Sequence, residues 1–234
     1  MTGKLLSALG HATLAMAVLC CVLLPANATF AQENNQSRNQ ARGQAGVFDF
    51  YVLSLSWSPT FCAAQKSGRN AQQCGSTTDF GFIVHGLWPQ YERGYPEFCK
   101  VDEPGRVPNA LGEPLFDIMP SMGLIGHQWR KHGACSGLSQ RDYLAAIRTA
   151  YQRVKLPVAL TDAAQARTLS ARAVEEAFVE SNPGMDAKGI AVTCERDKLE
   201  EVRICMTKDF AFRPCAEVDR RSCSLTSLTL PAAP

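Results

Sequence analysis

Eight cysteines constrain the fold of this chain more than any other feature. Ten cysteines occur in its 234 residues, and Cys20 and Cys21 lie inside an apolar N-terminal stretch that is typical of an export signal. The remaining eight are Cys62, Cys74, Cys99, Cys135, Cys194, Cys205, Cys215 and Cys223. An even number of cysteines behind an export signal predicts four disulfides in an oxidising compartment. A zinc knuckle is disfavoured, since no two of the eight have a spacing of roughly two to four residues.

The N-terminus predicts export. Lys4 precedes an apolar run at residues 14–24, and small residues offer cleavage after Ala28 or Ala31. The run is too short to span a bilayer comfortably, although an uncleaved anchor is the alternative. We therefore expect a signal peptide at residues 1–31, no stable membrane association after cleavage, and a periplasmic or secreted protein.

The rest of the chain predicts one domain behind a short arm. Residues 32–46 are rich in Asn, Gln, Arg and Gly, which favours a flexible polar arm. Residues 47–234 are enough for a single domain with a hydrophobic core, and we expect a monomer. Loss of residues 1–31 removes Lys4 and no acid, which leaves 23 basic and 22 acidic residues. Any attraction to phosphate must therefore be local rather than a property of the whole surface.

The hydrophobic pattern predicts an α+β fold. Residues 48–57 alternate as a strand with one buried face, and residues 80–84 form a short strand that ends at His85, where Gly86 lets the chain turn. Helical spacing follows at residues 139–154, with Ser139 as the cap, and at residues 170–181. Two further strands are predicted at residues 190–194 and 199–206.

The segment HQWRKHGAC at residues 127–135 concentrates polar chemistry. If it is helical, Gln128 and His132 share one face, His127 and Lys131 share a neighbouring face, and Trp129 points to the core. Such residues are often a solvated helix face. The only other histidine outside the extreme N-terminus is His85, in FIVHGLWP at residues 82–89, and this concentration favours chemistry.

Two histidines from separate elements suit concerted acid–base catalysis, and Lys131 can stabilise charge on a phosphoryl group. A protein nucleophile is disfavoured, because Ser136 lacks a Gly-x-Ser-x-Gly elbow and Cys135 is better explained as a disulfide partner. A three-histidine zinc site is conceivable, so an exported, disulfide-rich metal-binding protein is an alternative. Lys131 beside such a site would oppose a dication.

The two histidine segments resemble the two active-site segments of the ribonuclease T2 family. LSLSWSPTFC at residues 53–62 is similar to the first strand of that family, and LEEVRIC at residues 199–205 resembles a late strand. The resemblance extends from about Phe48 to about Cys223. It implies an antiparallel sheet flanked by helices, stapled by disulfides. It also implies endonucleolytic cleavage of single-stranded RNA through a 2′,3′-cyclic phosphate, without metal or other cofactor, and no action on DNA.

The resemblance also implies roles for individual residues. His132 would take the proton from the 2′-hydroxyl, and His85 would protonate the departing 5′-oxygen. Lys131 would stabilise the phosphorane, and His127 would bind phosphate. Trp88 would stack on a base, with a purely core position as its alternative. In the sequence, Tyr95 lies near the position at which the family has an aromatic residue that contacts the base.

Two positions depart from the family pattern. Gln128 replaces the usual acid between the first histidine and the tryptophan of the second segment, and Gln90 replaces an acid after the first segment. An amide can donate a hydrogen bond to a phosphoryl oxygen but cannot place a negative charge beside His132. An RNA-binding pseudoenzyme is therefore an alternative, and base preference is open.

The disulfide pairing is also implied by the resemblance. It consists of Cys99–Cys135, which would join the two histidine segments, Cys62–Cys74, and Cys194–Cys223 around Cys205–Cys215.

Overall fold

The computed structural model describes residues 43–65, 70–75 and 79–233. The predicted signal peptide and residues 32–42 of the predicted arm lie outside these described residues. At the end of that arm, the Gly43 N–H donates to the Tyr91 hydroxyl at 2.8 Å, and the Gly46 N–H donates to the Cys135 carbonyl at 3.0 Å. Residues 43–46 are therefore bound to the domain.

A six-stranded sheet runs through the described part of the chain. Its strands are β1 (Phe50–Trp57), β2 (Phe82–Gln90), β3 (Arg167–Leu169), β4 (Ile190–Glu195), β5 (Lys198–Met206) and β6 (Leu228–Leu230). Their order is β2-β1-β5-β6-β3, and β4 also pairs with β5. The pairings are antiparallel except for that of β5 with β6, which are parallel where Lys198 meets Thr229. Helices pack on this sheet, so the α+β prediction is confirmed.

Serine caps fix the starts of the longer helices. The described helices are α1 (Ser58–Ala63), α2 (Ala71–Cys74), α3 (Asn109–Gly112), α4 (Met122–Lys131), α5 (Gln140–Gln152), α6 (Ala171–Ser181) and α7 (Ala216–Asp219). The side chains of Ser121, Ser139 and Ser170 each accept the backbone N–H three residues later, which satisfies a donor that the helix leaves unpaired. The predicted helices at residues 139–154 and 170–181, and the Ser139 cap, are confirmed.

Both faces of β1 are covered, so the prediction of one buried face is wrong. Leu53, Leu55 and Trp57 point into the main core. On the opposite face, Phe50 and Val52 are also buried. They pack in a second cluster with Cys205, Cys215 and the partly buried Trp88 and Val218. The C-terminal segment supplies this second layer, which a pattern read on β1 alone does not reveal.

Four disulfides join the described cysteines. They are Cys62–Cys74, Cys99–Cys135, Cys194–Cys223 and Cys205–Cys215. These are the pairs that the resemblance implies. Cys99–Cys135 ties the loop after β2 to the 3₁₀ turn Gly133–Ser136 that follows α4. Among the described residues, no helix has both the length and the apolar character that crossing a membrane requires.

We predict that the Cys99–Cys135 bond is a major source of stability. Its cysteines are 36 residues apart. In the chain-entropy model, a disulfide that closes a loop of that size adds between about 3 and 4.7 kcal/mol to the free energy of unfolding. The double variant Cys99→Ala/Cys135→Ala should lose about this much free energy of unfolding in a urea titration. The matched control is Cys205→Ala/Cys215→Ala, since those cysteines are also buried but only 10 residues apart. A larger loss in the control would contradict the entropic account.

Candidate active site

A β-bulge at His85 shapes the site. Across the β1–β2 ladder, Ser54 pairs with Gly86 and Leu55 pairs with Val84, so His85 is the extra residue. The predicted end of the strand at His85 is therefore wrong, because β2 continues to Gln90. Residues three apart in a regular strand point to opposite faces. The bulge shifts the register by one residue and places His85 and Trp88 on the same face.

Gly86 serves a close approach between elements rather than a turn. A Cβ atom there would lie 2.1 Å from Gln128 Oε1 and 2.3 Å from Trp88 Nε1. Its absence lets the Trp88 indole N–H donate to Gln128 Oε1 at 2.8 Å. The bare backbone at Gly86 therefore makes room for the contact that joins β2 to α4.

The predicted helical arrangement of residues 127–132 holds up to the end of α4. The helix ends at Lys131, and the N–H of His132, the C-cap residue, donates to the Gln128 carbonyl at 2.9 Å. Gln128 and His132 are both buried. Trp129 points away from them, with 1% exposure, and its indole N–H donates to the Pro104 carbonyl at 2.9 Å.

A cleft of about 340 Å³ collects the residues that the sequence suggested. It is lined by His85, Trp88, Tyr95, His127, Gln128, Lys131 and His132, together with Gln90. The Trp88 ring lies between the histidines, with its centroid 5.4 Å from that of His85 and 5.2 Å from that of His132. It is half-buried, faces the cleft and also packs against the second cluster. Tyr95 is 44% exposed, and its ring centroid is 6.3 Å from that of His132.

His132 is held in its neutral form. Burial, followed by the charges of Lys131, His85 and His127, lowers the pKa of His132 to about 3. Its Nδ1 is buried and has no hydrogen-bond partner among the described residues, so Nε2 is the nitrogen available to the cleft. Burial and the charges of Lys131 and Arg130 also lower the pKa of His127. At neutral pH, His132 is thus an uncharged imidazole that can accept a proton.

Glu201 and Arg203 are functional-site residues that the sequence reasoning missed. Glu201 is 4% exposed, and its Oε1 accepts a hydrogen bond from His85 Nδ1. Its Oε2 accepts from Arg203 Nε at 2.8 Å and from Arg203 Nη2 at 2.7 Å. Burial opposes ionisation, but His85 and Arg203 together lower the pKa of Glu201 to about 2. The alternation of LEEVRIC places both residues on one face of a strand, but it does not reveal that this face meets His85.

The site geometry does not form a metal cage within the described ranges. No group of three or more His, Cys, Asp or Glu side chains there is arranged to hold a metal ion. Instead, Lys131 contributes a positive charge to the cleft, and its Nζ lies 3.7 Å from Glu97 Oε2. The arrangement combines a neutral imidazole, a carboxylate-bound imidazole and an ammonium group.

Comparison with known proteins identifies the family. The model of the Ribonuclease T2 family matches residues 48–215. The chain belongs to the ribonuclease T2 family. A ribonuclease of Aeromonas hydrophila is 47% identical over 104 residues, which are 44% of this chain and 45% of that protein. Ribonuclease I of Escherichia coli is 28% identical over 208 residues, which are 71% of this chain and 78% of that protein.

The match to the first two curated relatives spans only about half of their length, 45% for the Aeromonas protein and 52% for a probable ribonuclease of Haemophilus influenzae. Solved structures of a ribonuclease and a ribonuclease-related protein share the fold. The RNase-related protein from Calystegia sepium superposes with a TM-score of 0.64 at 21% identity, over 80% of this chain and 98% of that one. RNase NT, in a complex with 5′-AMP, gives a TM-score of 0.55 at 23% identity, over 72% and 91%.

We predict that the His132 ring stays neutral far into acid. In an NMR titration of its imidazole protons, the pKa should be about 3. Lys131→Met should raise this pKa, because it removes a nearby positive charge. The single variant Gln128→Glu should also raise the His132 pKa above that of the wild type, because a carboxylate favours the imidazolium.

The matched control is Arg130→Met. Arg130 adjoins Lys131 but is not among the groups that shift the His132 pKa, so this variant should leave that pKa unchanged. A wild-type pKa near the ordinary value of 6.5 would contradict the burial argument. An unchanged pKa in Gln128→Glu would show that side chain 128 does not act on His132.

Proposed function

We propose that this protein is an endoribonuclease that cleaves single-stranded RNA by transphosphorylation through a 2′,3′-cyclic phosphate. The observation that carries the proposal is the placement of two histidines with different surroundings in one cleft. His132 is neutral, whereas His85 is bound through Nδ1 to an ionised carboxylate, and Lys131 lies in the same cleft. The names of the relatives and the RNase structures with 5′-AMP, 5′-UMP and 5′-GMP support it.

His132 acts as the general base. Its neutral Nε2 takes the proton from the ribose 2′-hydroxyl, and the 2′-oxygen forms a bond to phosphorus. The nucleophile belongs to the substrate, so the protein needs neither a nucleophilic side chain nor a cofactor. DNA lacks the 2′-hydroxyl and is not a substrate.

His85 acts as the general acid. Nδ1 keeps its proton and donates it in a hydrogen bond to Glu201, so the acid form of the ring gives up the proton on Nε2 to the 5′-oxygen while the bond from phosphorus to that oxygen breaks. The proposed role of His85 as an acid thus depends on Glu201 of β5 rather than on a residue of its own segment.

Lys131, His127 and Gln128 act on the phosphoryl group. The Lys131 ammonium stabilises the charge of the pentacoordinate phosphorane, and His127 binds a phosphate oxygen. Gln128 Oε1 already accepts the Trp88 N–H, which leaves its amide N–H₂ to donate to a phosphoryl oxygen. The family acid is thus replaced by a group that still offers a donor to the transition state.

Trp88 and Tyr95 bind the base. The half-buried Trp88 ring offers a stacking surface beside both histidines, and the exposed Tyr95 ring lies at the edge of the same cleft. Stacking tolerates any base. The proposal includes a periplasmic or secreted location, which four disulfides support, and a monomeric state.

We predict that the wild-type protein makes 2′,3′-cyclic phosphate ends on single-stranded RNA in the presence of EDTA. His85→Ala and His132→Ala should each lower kcat/KM by at least about 100-fold, because each removes one proton transfer. The control Arg172→Ala, which breaks an exposed ion pair with Glu176, should leave the rate unchanged. RNA binding without cleavage would favour the pseudoenzyme with Gln128. Activity that requires added zinc would favour the metal-binding alternative.

We predict that Trp88→Ala weakens RNA binding by about 1–3 kcal/mol, measured as KM on a series of dinucleotides. Trp88→Phe also loses the hydrogen bond to Gln128 but keeps an aromatic ring. It should recover most of the binding if stacking is the role of this residue. A large drop in melting temperature in both variants, with KM unchanged, would instead assign Trp88 to packing.

A further inference from the structure

Four side chains form a continuous series of contacts from Trp88, the proposed base-stacking residue, to His85, the proposed acid. Trp88 lies under the Arg203 guanidinium, with Arg203 Cζ 5.3 Å from the ring centroid. Arg203 donates twice to one oxygen of Glu201, and the other oxygen accepts from His85 Nδ1. We propose that Glu201 is a positioning residue that fixes the ring and tautomer of His85, and that Arg203 holds Glu201 in place beside Trp88. This inference rests on the proposed function.

The carboxylate geometry dictates the tautomer. Both oxygens of Glu201 are occupied, and an ionised carboxylate only accepts hydrogen bonds. The nitrogen that faces Glu201 must therefore carry a proton, whatever the protonation of the other nitrogen. His85 Nε2 is then the only ring nitrogen that exchanges a proton with the leaving group.

The strand pairing of the sheet allows Glu201 and Arg203 to contact His85 and Trp88. On β5, Glu201 pairs with Ser56 and Arg203 pairs with Ser54, and β1 separates them from β2. The two serines are small, so the longer side chains of β5 reach across β1 to His85 and Trp88. Because His85 is the extra residue of a bulge, regular pairing does not hold it in the ladder. Glu201 supplies the side-chain contact that orients it.

A positioning role for the acid has a specific kinetic signature. Protonation by His85 matters when the leaving group is the poor 5′-alkoxide of RNA. It matters little when the leaving group is 4-nitrophenolate, which departs without a proton. A variant that misplaces His85 should therefore fail selectively on the first substrate, whereas a variant with general damage should fail on both.

The experiment compares two substrates with the same 3′-nucleotide. One is the dinucleotide that the wild type cleaves best, and the other is the 4-nitrophenyl ester of the same 3′-nucleotide. In Glu201→Gln, kcat on the dinucleotide should fall by about 10- to 100-fold, part of the usual contribution of general acid catalysis. On the nitrophenyl ester it should change less than about threefold, and KM should stay the same for both.

Two further variants sharpen the comparison. Arg203→Lys keeps the charge but loses the paired hydrogen bonds to Glu201. Its kcat on the dinucleotide should therefore also fall selectively, but by a smaller factor than in Glu201→Gln. Asp117→Asn removes a carboxylate that is also held by two nitrogens of an arginine, Arg148, outside the cleft. This control should match the wild type on both substrates.

The outcomes separate the two proposals. A wild-type protein that cleaves neither substrate overturns the proposed function. A wild-type protein that cleaves both, with Glu201→Gln equally slow on both or unchanged on both, overturns the positioning role alone. If Glu201→Gln does not fold, ¹⁵N NMR of wild-type His85 decides the question. In the neutral ring the proton should reside on Nδ1, and a proton on Nε2 overturns the inference.

Discussion

One extra residue in β2 is the constraint on which the cleft depends. Because His85 is inserted between Val84 and Gly86 in the ladder, Leu87 turns to the core opposite Leu53, while His85 and Trp88 both face the cleft. In a regular strand, two residues three apart would lie on opposite faces. The sheet would then bury either the proposed acid or the stacking ring. The bulge reconciles a fully packed core with a functional face on the same strand.

Small residues let the surrounding elements close on this strand. The missing Cβ of Gly86 admits Gln128 from α4, and Ser54 and Ser56 lie where Arg203 and Glu201 of β5 pair with β1. The result is a buried carboxylate with both oxygens hydrogen-bonded, the condition under which a buried charge is tolerated. Across the cleft, burial likewise opposes the charged form of His132, but the neighbouring charges there are positive and add to that effect, so this ring stays uncharged. The same sheet and helix thus place two imidazoles in unlike electrostatic surroundings.

The sequence pattern predicted those features that depend on interactions between residues close together in the chain. The serine caps and helical spacing of α5 and α6, the strands β4 and β5, and the shared position of Gln128 and His132 were readable from the sequence. The resemblance supplied the family, and family membership is confirmed, whereas the individual catalytic roles stay predictions. The bulge, the function of Gly86 and the Glu201–His85 contact were not readable. Each depends on which strand or helix lies opposite, and a pattern along one segment does not contain that information.

The covalent link between the two histidine segments has a consequence for the timing of activity during biogenesis. Cys99 and Cys135 tie the loop of Tyr95 to the turn after His132, and the link is buried. A newly made chain with reduced thiols has only non-covalent contacts to hold these segments together. The covalent link between them then requires thiol oxidation, which the cytosol opposes and extracytoplasmic compartments favour. Thiol oxidation would thereby couple the covalent closure of the cleft to the compartment in which the chain folds.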